Sequence, residues 1–364
     1  MGPPRLLLTS CSRIPLKGRT QRPGRASSAG ALRWAASCAI ALMICASLLP
    51  WARVPAITFL CFGLAALGLT VLMRAGQVSF GHAMYAAIGG YTAAFLARRF
   101  PGADALVLVL AGLFASVLCG AVASAFLSRY RGIFFGMLNL GISMVLVSLI
   151  GKLYSFTGGT DGLRFERPTM LGFALQRGDF EIAMLLLVVV LALAALWLVQ
   201  RYFDSAAGQL LAAIKTNETR LEYIGVSARR VLVQGYVVSS ALVGLSGVLL
   251  ALVQGLVTPE SGHWLRSGEY VFIAILGGSA TAVGAFLGAA VFEVIKLVAA
   301  AYFTNAWQIL LGGTLIAVLF FAPDGLMAGR RTRRKPASSS VSSSVPRQAP
   351  PKVRAAVPST EVRQ

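Results

Sequence analysis

Charge is scarce in this sequence. Only 13% of its 364 residues are Asp, Glu, Lys or Arg, against about 25% in an ordinary soluble domain. Acids number 13, and histidine occurs only twice, as His82 and His263. General acid–base and metal-assisted chemistry need clustered groups of these kinds, and the sequence offers none at motif spacing. A Walker A loop requires Gly-x-x-x-x-Gly-Lys-Ser/Thr. The nearest approach ends Ala213-Ile214-Lys215-Thr216, with Ile where the second Gly belongs. Gly-x-Ser-x-Gly and His-Glu-x-x-His are also missing. The chain therefore does not read as an enzyme, and no cofactor is expected on it. Five cysteines occur, at positions 11, 38, 45, 61 and 119, none in a CxxC pair or beside a histidine. They read as small apolar residues, with neither a structural disulfide nor a metal site expected.

Apolar residues are abundant instead, at 57% of the chain, with a mean hydropathy of +0.74. A soluble protein of this size needs more polar surface than that. An apolar helix needs about 20 residues to cross a bilayer. The runs at 34–50, 54–73, 83–97, 105–127, 133–150, 182–200, 231–257, 269–282, 284–301 and 306–323 give ten predicted spans. The expected fold is thus an all-α integral membrane protein of about ten transmembrane helices. Residues 269–301 read either as one long helix or as two, and Gly277, Gly278 and Gly284 favour a break.

The net charge of +20 resides mostly in the tails. Residues 1–33 hold seven Lys/Arg and no acid, and residues 328–364 hold nine and one acid, which together make +15. Ten spans put both tails on one side. Of the 33 Lys/Arg, 24 then fall on that side, as the positive-inside rule requires of the cytoplasm. This distribution argues for contact with anionic lipid headgroups and against nucleic acid. The expected organisation is a basic, disordered cytoplasmic extension at 1–33, a transmembrane domain at 34–327, and a basic, disordered cytoplasmic tail at 328–364. Two polar segments interrupt the spans: 151–181, expected outside, and 201–230, expected in the cytoplasm.

Four motifs stand out. Gly76-Gln77-Val78-Ser79-Phe80-Gly81-His82 joins the second and third spans. Non-helical backbone at membrane depth survives only where protein or water satisfies it, so this reads either as a re-entrant, pore-adjacent segment or as a plain interfacial turn. Thr157-Gly158-Gly159-Thr160-Asp161-Gly162-Leu163 reads as a glycine-rich turn in the outer segment. In the cytoplasmic segment, Asp204 and Ser205 can cap a helix over 206–215, and Thr219 with Glu222 fits the capping box of a second. Gly225 can end that second helix. Leu210, Ile214, Leu221 and Ile224 give it a partial apolar face. Finally, residues 254–269 read as an external turn, and Gly284-x-x-x-Gly288 as a close-packing helix face. Glu293 and Lys296, three apart in a span, are placed to pair with one another.

The stretch from Leu67 to Ala94, with its Gln-x-Ser-x-Gly-His turn before Gly-Gly-Tyr, resembles the signature of LivM-type permeases of branched-chain amino-acid ABC importers. Arg74 stands where those proteins usually have Gly. The Thr-Gly-Gly-x-Asp-Gly-Leu turn is similar to theirs too. So is Ala213-Ile214-Lys215-x-Asn217-Glu218 with Ile224-Gly225-Val226, although Ala212 stands where the family often has Arg. The matches run in order over roughly residues 60–325.

The resemblance implies a ten-helix importer permease fold in the inner membrane, with both termini cytoplasmic. It implies ATP-driven uptake of leucine, isoleucine and valine. The implied partners are a homologous second permease, two ABC ATPase subunits that bind ATP, and an extracytoplasmic amino-acid-binding protein. It assigns ATPase coupling to Ala213, Ile214, Lys215, Asn217, Glu218, Arg220, Glu222 and Gly225. Gly76, Gln77, Ser79, Gly81, His82, Gly158, Gly159, Asp161 and Gly162 are the pore or gate candidates. Urea, other amides or other amino acids are alternative cargoes. An ion-driven secondary transporter is the alternative class, with Glu293 and Glu269 as its candidate membrane acids.

Overall fold

The computed structural model describes residues 49–278, except 171 and 174, and residues 281–302. It also describes isolated positions at 37, 38, 42, 43, 47, 309, 312, 313, 316 and 320. Apart from those positions, the spans expected at 34–50 and 306–323 and both tails lie outside the described residues.

Apolar runs become helices with short connections, because a helix satisfies its own backbone where no water can. Pro50–Ala52, a 3-10 turn, leads into α1 (Arg53–Arg74). Then come α2 (Ala83–Arg99), α3 (Ala105–Leu127), α4 (Gly132–Lys152) and α5 (Arg177–Asp204). Two short helices follow, α6 (Ala206–Thr216) and α7 (Glu218–Tyr223), and then α8 (Ala228–Gln254), α9 (Trp264–Gly277) and α10 (Ala282–Tyr302). The one sheet among the described residues pairs β1 (Leu163–Arg164) antiparallel with β2 (Leu256–Val257).

Among the described residues, six helices are long and apolar enough to cross a membrane: Pro50–Arg74, Ala105–Leu127, Gly132–Lys152, Arg177–Asp204, Ala228–Gln254 and Ala282–Ala299. The chain is a multi-pass, all-α membrane protein. Its outward faces fit that solvent: Leu110, Phe114 and Val122 on α3 and Ile133, Phe134 and Met137 on α4 are all more than 60% exposed. A soluble monomer rarely carries so continuous an apolar surface. α1 and α8 form the centre, buried along most of their length.

The run at 269–301 is two helices, broken at Gly278, whose φ is 85°. The first of them starts at Trp264, five residues before the expected boundary. Gly284 and Gly288 do pack closely. A Cβ on Gly284 would meet the Gly277 carbonyl, and one on Gly288 would meet that of Ile273.

α2 and α9 differ from the other long helices. With 17 and 14 residues, they measure about 25 and 21 Å at 1.5 Å per residue, short of a ~30 Å hydrocarbon core. Both start deep in the protein. The Ser116 hydroxyl, at the centre of α3, donates to the Tyr85 carbonyl in the first turn of α2 at 3.2 Å. The Ser143 hydroxyl, near the centre of α4, donates to the Gly262 carbonyl just before α9 at 3.0 Å. The turn at 75–82, and the segment 255–263 with β2 and a 3-10 turn at Pro259–Gly262, therefore lead from the ends of α1 and α8 back to the middle of the neighbouring helices. For 254–269 this replaces the expected external turn: the segment folds inward, because buried side chains bond its backbone.

Candidate functional site

The two inward-folded segments meet. The backbone N–H of Ala83, the first residue of α2, donates to the Ser267 hydroxyl of α9 at 2.8 Å. This satisfies one of the amides that a helix start leaves open. Gly76-Gln77-Val78-Ser79-Phe80-Gly81-His82 forms one side of this junction, and each polar side chain in it has a defined task. Gly76 lies against Lys215 of α6, with 3.2 Å between a Cβ built there and Lys215 Cγ. The Gln77 carbonyl oxygen accepts from the Gly132 N–H at the start of α4 at 3.0 Å. Gly81 passes so close to the backbone of Asn139 that a Cβ would strike its carbonyl.

Ser79 and His82 enter a buried network. His82 Nδ1 is 2.6 Å from the Ser79 hydroxyl and 3.1 Å from the Asn139 amide nitrogen. That nitrogen also donates to the Ser79 hydroxyl. On its other side, Asn139 accepts from the Tyr236 hydroxyl at 3.0 Å, and Tyr236 accepts from Tyr85 at 2.9 Å. The two tyrosine rings flank the imidazole edge-on, at 5.4 and 4.8 Å between centroids. All five residues are buried. An amide nitrogen only donates, so His82 Nδ1 accepts and the ring proton sits on Nε2. That atom is buried without a hydrogen-bond partner, an exception among buried polar groups. Four elements thus converge on one chain of hydrogen bonds: the 75–82 turn, α2, α4 and α8.

The Thr157–Leu163 motif forms a turn built on glycines. Gly158, Gly159 and Gly162 have φ of 73°, 58° and 76°. A Cβ on Gly162 would collide with the Val257 carbonyl, and one on Gly158 with Gly162 itself. The turn delivers Leu163 to Val257 and Arg164 to Leu256 in the β pairing. Leu163 and Val257 then pack with Ala87, Tyr91 and Ala94 of α2. Asp161 is exposed, with only a 3.5 Å contact from the Tyr154 hydroxyl.

In the polar segment at 201–230, Ser205 caps α6, accepting from the Gly208 N–H at 3.4 Å. The cap of α7 is Asn217, accepting from the Arg220 N–H at 3.1 Å. The expected Thr219 box does not form, because α7 starts at Glu218 and Thr219 lies inside it. Gly225 closes α7 at φ 81°, with the N–H of Gly225 on the Glu222 carbonyl and that of Val226 on Leu221. These are the two bonds of a Schellman motif. Ile214 and Leu221 are buried, and Ala213 packs beside them. Ile224 was expected on that face but is 71% exposed beside Tyr223 at 87%. Lys215, Asn217, Arg220 and Glu222 are also exposed. Glu218 turns inward to a bidentate pair with Arg131, 2.8–3.1 Å from its guanidinium.

Residues 55–319 match the model of the family "Branched-chain amino acid transport system / permease component". The chain belongs to that family. It is 26% identical over 291 residues to the high-affinity branched-chain amino acid transport system permease protein LivM of Escherichia coli (strain K12), covering 74% of this chain and 68% of that one. Against the permease LivH of Salmonella typhimurium the identity is 26% over 286 residues, 73% and 91% of the two chains. The nucleoside ABC transporter permease protein NupB of Lactococcus lactis subsp. cremoris is 24% identical over 257 residues, 64% and 68%. No solved structure matches the chain.

Sequence reading found the turn residues of this permease but not their partners. Asn139, Tyr236, Ser143 and Arg131 were not singled out, and Ser267 was read only as part of a turn. For Asn139 a signal existed: it is the one amide in the apolar run of α4, where an unpaired polar group is costly. Glu293 and Lys296 form no ion pair. Lys296 Nζ lies 5.1 Å from the Phe62 ring centre, with Arg266 over the same ring at 5.6 Å. Arg266 pairs with Glu269 at 2.9 Å, and Glu293 Oε2 is buried without a hydrogen-bond partner.

Proposed function

We propose that this chain is the membrane-spanning permease subunit of an ATP-driven importer that carries leucine, isoleucine and valine into the cytoplasm. The family match across 55–319 carries this reading. In it, the chain has ten spans in the inner membrane with both termini cytoplasmic, pairs with a homologous second permease, and takes substrate from an extracytoplasmic binding protein. ATP hydrolysis belongs to two separate ATPase subunits, which the lack of a Walker A loop in this chain supports.

The ATPases would seat on the segment from Ala213 to Gly225. Its exposed Lys215, Asn217, Arg220, Glu222, Tyr223 and Ile224 offer both polar and apolar contacts there. A solvated loop of a lone protein has no reason to expose Tyr223 and Ile224 side by side, whereas an interface core does. The Gly76–His82 turn would line the inner half of the pathway, and the glycine turn at 158–162 would form part of the outer gate.

The test is a mild-detergent pull-down of the tagged chain from its native membrane, with mass spectrometry of the recovered proteins. Recovery of an ATPase and a second permease is expected. A chain that purifies alone and transports in vesicles without ATP overturns the proposal. Because NupB is named for nucleosides, the cargo is tested separately, by competition of labelled leucine uptake with unlabelled valine, urea and a nucleoside. Competition by valine alone is expected.

A further inference from the structure

One helix connects the cytoplasmic loop to the buried junction, and it is loosely held. Of the 21 residues of α4, only Phe135, Gly136, Asn139 and Ser143 are buried. They fall at steps of three, four and one along one stripe, and the two farther into the membrane are polar. Asn139 binds the turn at Ser79 and His82. One turn on, Ser143 binds the outer inward-folded segment at Gly262. At its start, Gly132 is tied to Gln77 of the same turn. The turn and the first two turns of α4 are therefore fastened at both ends and move as one piece.

The cytoplasmic loop grips that piece at two points. Lys215 of α6 lies against Gly76, and Glu218 of α7 holds Arg131, the residue before α4. The Arg131 guanidinium is fixed in place by the carbonyls of Ser128 and Tyr130. The planar fork of an arginine on a carboxylate fixes orientation as well as distance. It transmits displacement in a way that a single flexible contact does not.

We infer that Arg131 and Glu218 are positioning residues for transport. Their pair carries motion of the ATPase-facing loop into α4, and through Asn139 and Ser143 into both inward-folded segments. This rests on the coupling role proposed above for residues 213–225. A displacement of α7 then shifts the inner turn and the outer segment together, because one rigid stripe binds both.

The experiment uses the assembled transporter in proteoliposomes, with its partner permease, ATPases and binding protein. It reads leucine uptake and ATP hydrolysis on the same sample. Arg131→Glu and Glu218→Arg are each expected to lower the ratio of leucine moved to ATP hydrolysed by about fivefold or more, the low end of coupling between sites. The double exchange, with both charges reversed, restores most of the ratio. Arg131→Lys, which keeps the charge but loses the fork, falls between. A cysteine at position 222 cross-linked to the ATPase monitors the seating itself. If that cross-link forms and both single variants keep the parent ratio, the transmission role is overturned while the coupling loop stands. A double exchange that recovers nothing, while a conservative Glu218→Gln loses nothing, also overturns it. If the parent itself fails to cross-link, the coupling reading falls and this inference with it.

Discussion

Asn139 and His82, 57 positions apart in sequence, face each other in the buried interior of the helix bundle with 3.1 Å between amide nitrogen and Nδ1. The amide serves both sides of the junction, donating towards Ser79 and His82 and accepting from Tyr236. Asn139→Ala removes the shared partner and leaves the buried Tyr236 hydroxyl without its acceptor, at about 1–3 kcal/mol. The thermal midpoint of the purified protein in detergent should fall, and leucine uptake with it. Tyr236→Phe keeps the ring against His82 but deletes the donor to Asn139 and the acceptor of the Tyr85 hydroxyl, so its loss should be of similar size. Equal midpoints for parent and Asn139→Ala would mean the network contributes nothing to holding α4.

The helices were legible in the sequence because apolar length alone specifies them. The expected and observed bounds of α3 coincide, and those of α1, α4 and α8 agree within three residues. What hydropathy does not encode is depth. Residues 254–269 have the composition of an external turn, with Pro259, Glu260, Ser261 and Gly262, yet the chain there runs back to the middle of the neighbouring helices. The determinant is a lone hydroxyl on another helix, Ser143 of α4 on the Gly262 carbonyl; Ser116 likewise bonds Tyr85 at the start of α2, and Ser267 receives the Ala83 N–H. Each is an ordinary residue in its own helix and acquires meaning only from a partner 31 to 184 positions away. The turn at 76–82 was visible because glycine and polar residues cluster there in sequence. The helix that receives it, α4, was visible only as hydrophobic.

Gly162 tests the outer turn. Its φ of 76° with ψ near 180° is a conformation that essentially only glycine adopts, worth about 1–3 kcal/mol when forced on another residue. A Cβ there also collides with the Val257 carbonyl. Gly162→Ala should therefore unzip β1 from β2 and expose the 158–170 segment to protease added from outside. Gly172→Ala is the control. Its φ is 82°, but nothing lies within 4 Å of its Cβ, so it carries backbone strain without the collision. Equal cleavage of the two variants would show that strain, and not the β pairing, governs access.

Gly225 separates folding from partner contact. At φ 81° it bears the αL conformation, which costs a side chain about 1 kcal/mol, and its surroundings are open. Gly225→Asp should leave expression and membrane insertion near the parent level. It places a charge beside Tyr223 and Ile224, on the surface proposed to receive the ATPase. Uptake should then fall while the protein accumulates normally. Normal uptake by this variant would remove residues 213–225 from the coupling role.

Glu293 decides between the two classes of transporter. It is buried in α10 with one carboxylate oxygen unpartnered, near the Arg266–Glu269 pair and Lys296 on the Phe62 ring. Membrane-embedded acids mark proton or ion pathways by default, so an ion-driven carrier built on this chain would turn over at this residue. In an ATP-driven permease the charge has no turnover role, and the side chain matters for its volume between α1, α9 and α10. Glu293→Gln keeps that volume and removes the charge. ATP-dependent leucine uptake should stay within about threefold of the parent, a barrier change below ~0.7 kcal/mol. Imposing or collapsing a proton gradient across the vesicle should leave both proteins unchanged. Uptake abolished in the variant, with ATP hydrolysis still stimulated by the binding protein, would instead make Glu293 part of the transported-ion path and reverse the assignment of the driving force.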